Sequence, residues 1–226
     1  MKKIVFLSLL ALMAVSCKFI TFAETGDKRI SCKGPVEIHN LDSLTGFSST
    51  MVSGHANVVF VQGDECSVQV KANSEVFDHL AYSVDGGCLI IKTQGQIKAD
   101  TYEVTVTGPV MKDISVKGAA EIKINNYSSD ENLNVLVNGA AELEMDHARI
   151  PELSIEVNGA GDVDMDDLQV KSLTLNIKGA GDVSVSGTAE TAFLSVAGAG
   201  DIDASGLVCP DVKTSKSGAA SIRLPK

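Results

Sequence analysis

The sequence predicts an all-β chain wound as a single-stranded parallel β-helix, a β-solenoid of about 20 residues per coil. Three observations carry this. One short motif recurs six times at nearly constant spacing. Within each copy, apolar and polar residues alternate with period two, as on a half-buried strand. No stretch carries the 3.6-residue apolar period of a helix.

The copies are Lys117-Gly118-Ala119-Ala120-Glu121-Ile122, Asn138-Gly139-Ala140-Ala141-Glu142-Leu143 and Asn158-Gly159-Ala160-Gly161-Asp162-Val163. Lys178-Gly179-Ala180-Gly181-Asp182-Val183, Ala197-Gly198-Ala199-Gly200-Asp201-Ile202 and a degenerate Ser217-Gly218-Ala219-Ala220-Ser221-Ile222 follow. The leading glycines, at 118, 139, 159, 179, 198 and 218, are spaced by 21, 20, 20, 19 and 20. A fixed period of this size marks a stacked repeat architecture.

Each element of a coil has its own signature. After the glycine, Ile122/Ile124, Leu143/Met145, Val163/Met165 and Val183/Val185 share one face. Glu121, Glu142, Asp162, Asp182 and Asp201 share the other, with Glu144, Asp164 and Asp203 beside them. Before the glycine, Leu133/Val135/Val137, Leu153/Ile155/Val157 and Leu173/Leu175/Ile177 alternate again. A third, shorter alternation holds Ala148/Ile150, Leu168/Val170 and Leu207/Cys209. Three short strands per coil, each with an apolar face, stack on their neighbours about 4.8 Å away. One coil cannot bury its apolar face alone, so the array is stable only as a whole.

Upstream, Gly54-His55-Ala56-Asn57-Val58-Val59-Phe60 repeats the turn-then-strand form, and Gly34 lies 20 residues earlier. The interval from Gly54 to Gly118 leaves room for about three coils, with Val68/Val70/Ala72 and Leu89/Ile91/Thr93 as their strands. Residues 34–226 therefore read as one β-helix: irregular coils over 34–113, regular Gly-Ala-Gly-Asp coils over 114–210 and a cap over 211–226. A separate β-sandwich over 34–110 is the rival arrangement. In the cap, Thr214 and Lys216 occupy columns that are apolar elsewhere, and polar residues blunt an exposed sheet end; an unstructured tail over 211–226 is the alternative.

Residues 1–16 form an address. Lys2 and Lys3 precede an apolar run from Ile4 to Val15 that is too short to span a bilayer. Ala14-Val15-Ser16-Cys17 resembles a bacterial lipobox, which implies lipidation (a palmitate-type anchor) at Cys17 and a tether over 17–33. Plain secretion, with cleavage after Ala23, is the alternative.

Charge narrows the function classes. A net charge of −10 opposes nucleic-acid binding, which needs a basic face. No Trp and only three Tyr weaken any sugar-stacking reading. The acidic column is the one surface with chemistry in it. Stacked carboxylates repel, and a hard cation such as Ca²⁺ would relieve them, making Glu142, Asp162, Asp182 and Asp201 weak candidate ligands. The plainer reading is a solvated acidic face that keeps the protein soluble, because no residue fixes a ligand geometry. A β-helix enzyme acting on polysaccharide would need one acid pair that breaks the repeat, and these acids follow the repeat. His39, His55, His79 and His147 are scattered without metal-ligand spacing. Cys32 and Cys209 fall in inward phase, and Cys66 and Cys88, 22 apart, are a candidate disulfide between neighbouring coils.

The six Gly-Ala-Gly/Ala-[Asp/Glu] copies, the Gly54-His55-Ala56-Asn57 segment and the leader resemble the auto-transporter adhesin, head GIN domain family of bacterial envelope proteins. The resemblance spans residues 34–226 and implies a β-helical fold and a cell-envelope location, and it brings no catalytic residues. The expected protein is a non-enzymatic adhesin-like binding or scaffold module, lipid-anchored to the outer membrane, with a protein or glycan partner and no cofactor. A polysaccharide-acting enzyme, a calcium-binding array and a self-assembling array are the alternatives.

Overall fold

The computed structural model describes residues 29–225, and the chain is all-β with mixed sheets. In chain order it runs β1 (Ile30–Cys32), β2 (Val36–Asn40), β3 (Ser49–Gln62), β4 (Ser67–Asn73), a 3-10 turn (Ser74–His79), β5 (Leu80–Asp85) and β6 (Cys88–Thr93). Then come β7 (Ile97–Ala99), β8 (Tyr102–Gly108), β9 (Asp113–Asn125), β10 (Leu133–Asp146), β11 (Arg149–Ala180), β12 (Val183–Val208) and β13 (Asp211–Arg223).

From β9 onward every step is parallel and follows the repeat, with one register shift between Met165 and Leu168 where β11 meets β12. Glu121 pairs with Glu142 and Glu142 with Asp162, and Gly118, Gly139, Gly159, Gly179, Gly198 and Gly218 form one column of successive partners. The alternation explains the packing. Leu133, Val135 and Val137 before the glycine and Leu143 and Met145 after it are at most 2 % exposed, while the residues between them face solvent. The glycine column has a steric cause. Gly179 has φ +142°, and a Cβ there would overlap the Gly159 carbonyl oxygen one rung below.

The chain makes a second corner that the repeat motif does not announce. Asn126, His147 and Asp167 adopt φ of 55°, 54° and 52°. Asn, Asp and His are the side-chain-bearing residues that enter this left-handed region most readily. Past it, Ala148, Ile150, Leu168 and Leu207 are buried, so the third alternation does line the core.

The N-terminal part departs from the expected run of coils. No coil separates Gly54 from Gly118: β3 lies directly beside β9, with Gly54 opposite Gly118 and Val58 opposite Ile122. On its other side β3 meets two strands, β6 along Ser49–Ser53 and β8 along Asn57–Gln62. Each is then covered by an antiparallel strand, β6 by β5 and β8 by β4, and β2 adds antiparallel to β4. The Val68/Val70/Ala72 and Leu89/Ile91/Thr93 runs are strands with buried faces, as their alternation requires. The tight Asp85–Cys88 connection, with Gly86 and Gly87 at positive φ, reverses the chain into a β5–β6 hairpin instead of a new coil. Gly34 belongs to no corner column, and its N–H donates to Glu75 Oε2 at 2.7 Å.

The junction is closed by Tyr127. Its hydroxyl accepts from the Met111 N–H at 2.9 Å and donates to the Met111 carbonyl at 3.1 Å, while its ring meets Phe60 edge-on at 5.5 Å. At the far end Thr214 and Lys216 sit beside the buried Leu194 and Val196 and are themselves exposed. Cys32 is fully buried, and burial, then Glu75 and Asp78, pushes its thiol pKa up. Cys209, expected in the core, is only half-buried, with its Sγ donating to the Asp211 carbonyl at 3.4 Å.

Candidate functional site

The acidic column follows each glycine corner: Glu121, Glu142, Asp162 and Asp201 turn outward on strands, and Asp182 does so just ahead of β12. It forms a ridge between two troughs. One, of about 430 Å³, lies between this column and the second column of Glu144, Asp164, Ser184 and Asp203. The other, of about 670 Å³, is floored by Ala119, Ala140, Ala160, Ala180 and Ala199 and closed at one end by His55 and Asn57. Those two residues are the register partners of Ala119 and Glu121, so the acidic column ends at β3.

Asp162, Asp182 and Asp201 are held by the neighbouring rung. Asp162 Oδ1 accepts the backbone N–H of Asp182 at 3.2 Å, and Asp182 Oδ1 accepts that of Asp201 at 3.2 Å. Asp201 Oδ1 takes the Ser221 hydroxyl at 2.6 Å. Among the described residues cations meet both columns at one end and the second column alone at the other. Lys123 Nζ lies 3.0 Å from both Glu121 and Glu144, and these two hydrogen bonds hold its pKa above the usual lysine range. At the opposite end Arg223 meets Asp203 at 2.6 Å. The Asp203 carboxyl is held below its usual range, first by Ser205 and then by Arg223. Among the described residues no Lys or Arg pairs with Glu142, Asp162, Asp164, Asp182 or Asp201.

The four carboxylates named as weak calcium ligands therefore lie in one line, with oxygens of Asp162, Asp182 and Asp201 already accepting hydrogen bonds. Among the described residues no three His, Cys, Asp or Glu side chains converge as a metal site. What the ridge offers chemically is a row of fixed acceptors and negative charge.

Cys17 lies outside the described residues. No disulfide joins Cys66 to Cys88: the Cys66 thiol donates to the Phe47 carbonyl at 3.3 Å, ahead of β4, while Cys88 opens β6, a strand of a different hairpin. The phase mismatch between the two cysteines reflects this difference of strand. His147, read as scattered, stands at the second corner 3.9 Å from Asp167, and the 126, 147, 167 spacing was the available signal for it. The end clamps made by Lys123 and Arg223 had no signal beyond their positions opposite acidic residues. Among the described residues no helix is long and apolar enough to cross a membrane.

Known proteins were compared with this architecture. Residues 46–225 match the family model described as "Putative auto-transporter adhesin, head GIN domain". The chain is similar in fold to a "putative adhesin" from Bacteroides fragilis, with a TM-score of 0.65 and 14 % identity over 86 % of this chain and 99 % of that one. It is similar to a "putative lipid binding protein" from Parabacteroides distasonis, with a TM-score of 0.56 and 17 % identity over 88 % of this chain and 100 % of that one. A "putative adhesin" from the same organism gives 0.50 and 15 % identity over 86 % of this chain and 100 % of that one. No curated protein matches the chain. With four-fifths of its length inside that one family model, the chain belongs to the auto-transporter adhesin, head GIN domain family.

Proposed function

We propose that this protein is a non-enzymatic, adhesin-like module of the cell envelope whose acidic ridge is a contact surface for a multivalent partner. The observation that carries the reading is the row of outward carboxylates, in which Asp162, Asp182 and Asp201 accept hydrogen bonds from the next rung and, among the described residues, only Glu121 pairs with a cation. Fixed, repeated groups favour a partner that engages several of them at once, since each further contact is intramolecular once the first has formed. The family description supports an adhesin-like role at the envelope.

The finer architecture belongs to the same proposal. Strands β9–β13 wind as a parallel β-helix of about 20 residues per coil, supported by the unbroken glycine column and two corners per repeat. Lipidation at Cys17 would tether the array to the outer membrane. Metabolic labelling with a palmitate analogue tests the tether: it should mark the wild-type chain and leave Cys17→Ala unmarked.

Capture of envelope and host-matrix components on the immobilised mature chain, with and without calcium, tests the contact surface. A component held by wild type and lost by a Glu142→Gln/Asp162→Asn/Asp182→Asn variant supports it. Equal capture by both proteins, or cleavage of a glycan by the chain, overturns it.

A further inference from the structure

We propose that β2 is the contact strand of a symmetric pair, in which two copies of this chain join their sheets antiparallel along Val36–Asn40. β2 stands at one end of the eleven-stranded sheet, and among the described residues no strand pairs with its far edge. All five of its residues are exposed. An open edge of this kind is a template for another strand.

β2 also inverts the usual alternation. Its register sets Glu37 and His39 in phase with the buried Ala72 and Val70 of β4. Val36 and Ile38 fall on the opposite face, Ile38 beside Lys71, and are 48 % and 57 % exposed. Two apolar side chains thus stand next to each other on solvent at an unpaired edge.

The backbone phase shows what that edge offers. The Leu41 N–H donates to the Val68 carbonyl at 2.8 Å and the Ser74 N–H to the Pro35 carbonyl at 2.9 Å. Antiparallel ladders alternate, so Glu37 and His39 turn their backbone groups to β4 while Val36, Ile38 and Asn40 turn theirs outward. With a two-fold axis at Ile38, that residue bonds to Ile38 of the second copy, and Val36 and Asn40 bond to its Asn40 and Val36. This register uses every outward N–H and C=O of the strand. It also sets Glu37 opposite His39 of the second copy, at a closely spaced non-hydrogen-bonded position. His39 already lies 3.1 Å from Glu37 of its own strand, so the pair closes a square of alternating acid and base. On the other face the two Ile38 side chains meet, flanked by the two Val36.

Self-complementarity selects the occupant. A foreign strand would take the same backbone bonds without bringing a base to Glu37 and an acid to His39. Sliding the strands by two residues, the smallest step that keeps the hydrogen-bond phase, sets Glu37 against Glu37 or His39 against His39. The two-fold axis consumes the open edge of both copies, so the pair is closed and the polar last rungs at β13 stay outermost. Five residues a side bury less than a stable dimer needs. The chain is therefore monomeric in dilute solution and pairs when concentrated.

The edge is separate from the acidic ridge, so the two readings fail independently. The test is amide NMR with translational diffusion on the mature chain, in dilute and in near-millimolar solution. Concentration should slow diffusion towards that of a dimer and slow hydrogen exchange at Ile38 and Asn40, leaving the β4-bonded Glu37 and His39 amides unchanged. Ile38→Pro removes an N–H that β4 does not use, so the fold survives and the concentration effect should vanish. Glu37→Lys should weaken pairing severalfold, and Asp162→Asn/Asp182→Asn should pair like wild type. Diffusion independent of concentration would overturn the proposal. So would full pairing by Ile38→Pro or Glu37→Lys, or protection of Ile38 and Asn40 already complete in dilute solution, which would mean the edge is covered within one chain.

Discussion

The backbone N–H of Asp182 donates to Oδ1 of Asp162, one rung away, at 3.2 Å. The acidic ridge is thus partly neutralised at Asp162 and Asp182, where the N–H dipoles of Asp182 and Asp201 point at the neighbouring carboxylate. An Asn at position 162 keeps the acceptor oxygen and removes a charge from the column. Asp162→Asn should therefore match or exceed wild-type stability at low ionic strength, and its advantage should vanish in molar salt. Asp162→Ala should be less stable than Asp162→Asn at every salt concentration. Urea midpoints at two ionic strengths decide it.

The corner column predicts a positional rule. Gly179 is held at φ +142°, with the Gly159 carbonyl oxygen where a Cβ would stand. Gly179→Ala should cost at least about 1–3 kcal/mol from backbone strain alone, with the clash added. An alanine at Gly46, which has a positive φ but nothing within 4 Å, should lose only the strain. The difference between their melting temperatures isolates the contact between rungs.

Tyr127 offers a test of the junction with β3. Tyr127→Phe keeps the ring on Phe60 and removes the hydroxyl that satisfies both polar groups of Met111. Leaving a buried N–H unpaired should cost about 1–3 kcal/mol. Faster hydrogen exchange at Met111 than in the rungs beyond β10 would locate the loss.

Acid stability has a named contributor. The Glu156 carboxyl is held below its ordinary value of 4.5, first by its hydrogen bond from Lys178 and then by Asn158. A carboxylate with a lowered folded pKa adds stability above its unfolded pKa and loses it as pH falls through the folded one. Wild-type stability should drop as pH falls below about 4.5, and Glu156→Gln should show a shallower slope there. Because the pair is largely solvated, the difference should be small. Denaturant midpoints between pH 6 and 3 measure it.

The last rung predicts an association state. Thr214 and Lys216 continue the buried Leu194 and Val196 columns with polar groups at the open end of the sheet. Thr214→Leu/Lys216→Val would expose an apolar, unpaired edge, the arrangement that invites edge-to-edge pairing. Sedimentation velocity should show a monomeric wild type and an associating variant. Filaments in the wild type would show that the end is not blunted.

Sequence alone determined the strands, their faces and the parallel register of the second half. Period-two alternation specifies which side of a strand is buried, and a twenty-residue repeat leaves Leu133, Leu153 and Leu173 only one way to stack. The acidic ridge followed from the same two periods. Tertiary structure alone decided what lies between Gly54 and Gly118. Alternation in Val68–Ala72 and Leu89–Thr93 is the same whether a strand pairs parallel or antiparallel, so direction is invisible to it. It also decided that Lys123 bridges Glu121 and Glu144 and that Arg223 meets Asp203. Outward residues carry no core to constrain them, and their partners are set by which rungs and corners bring them together.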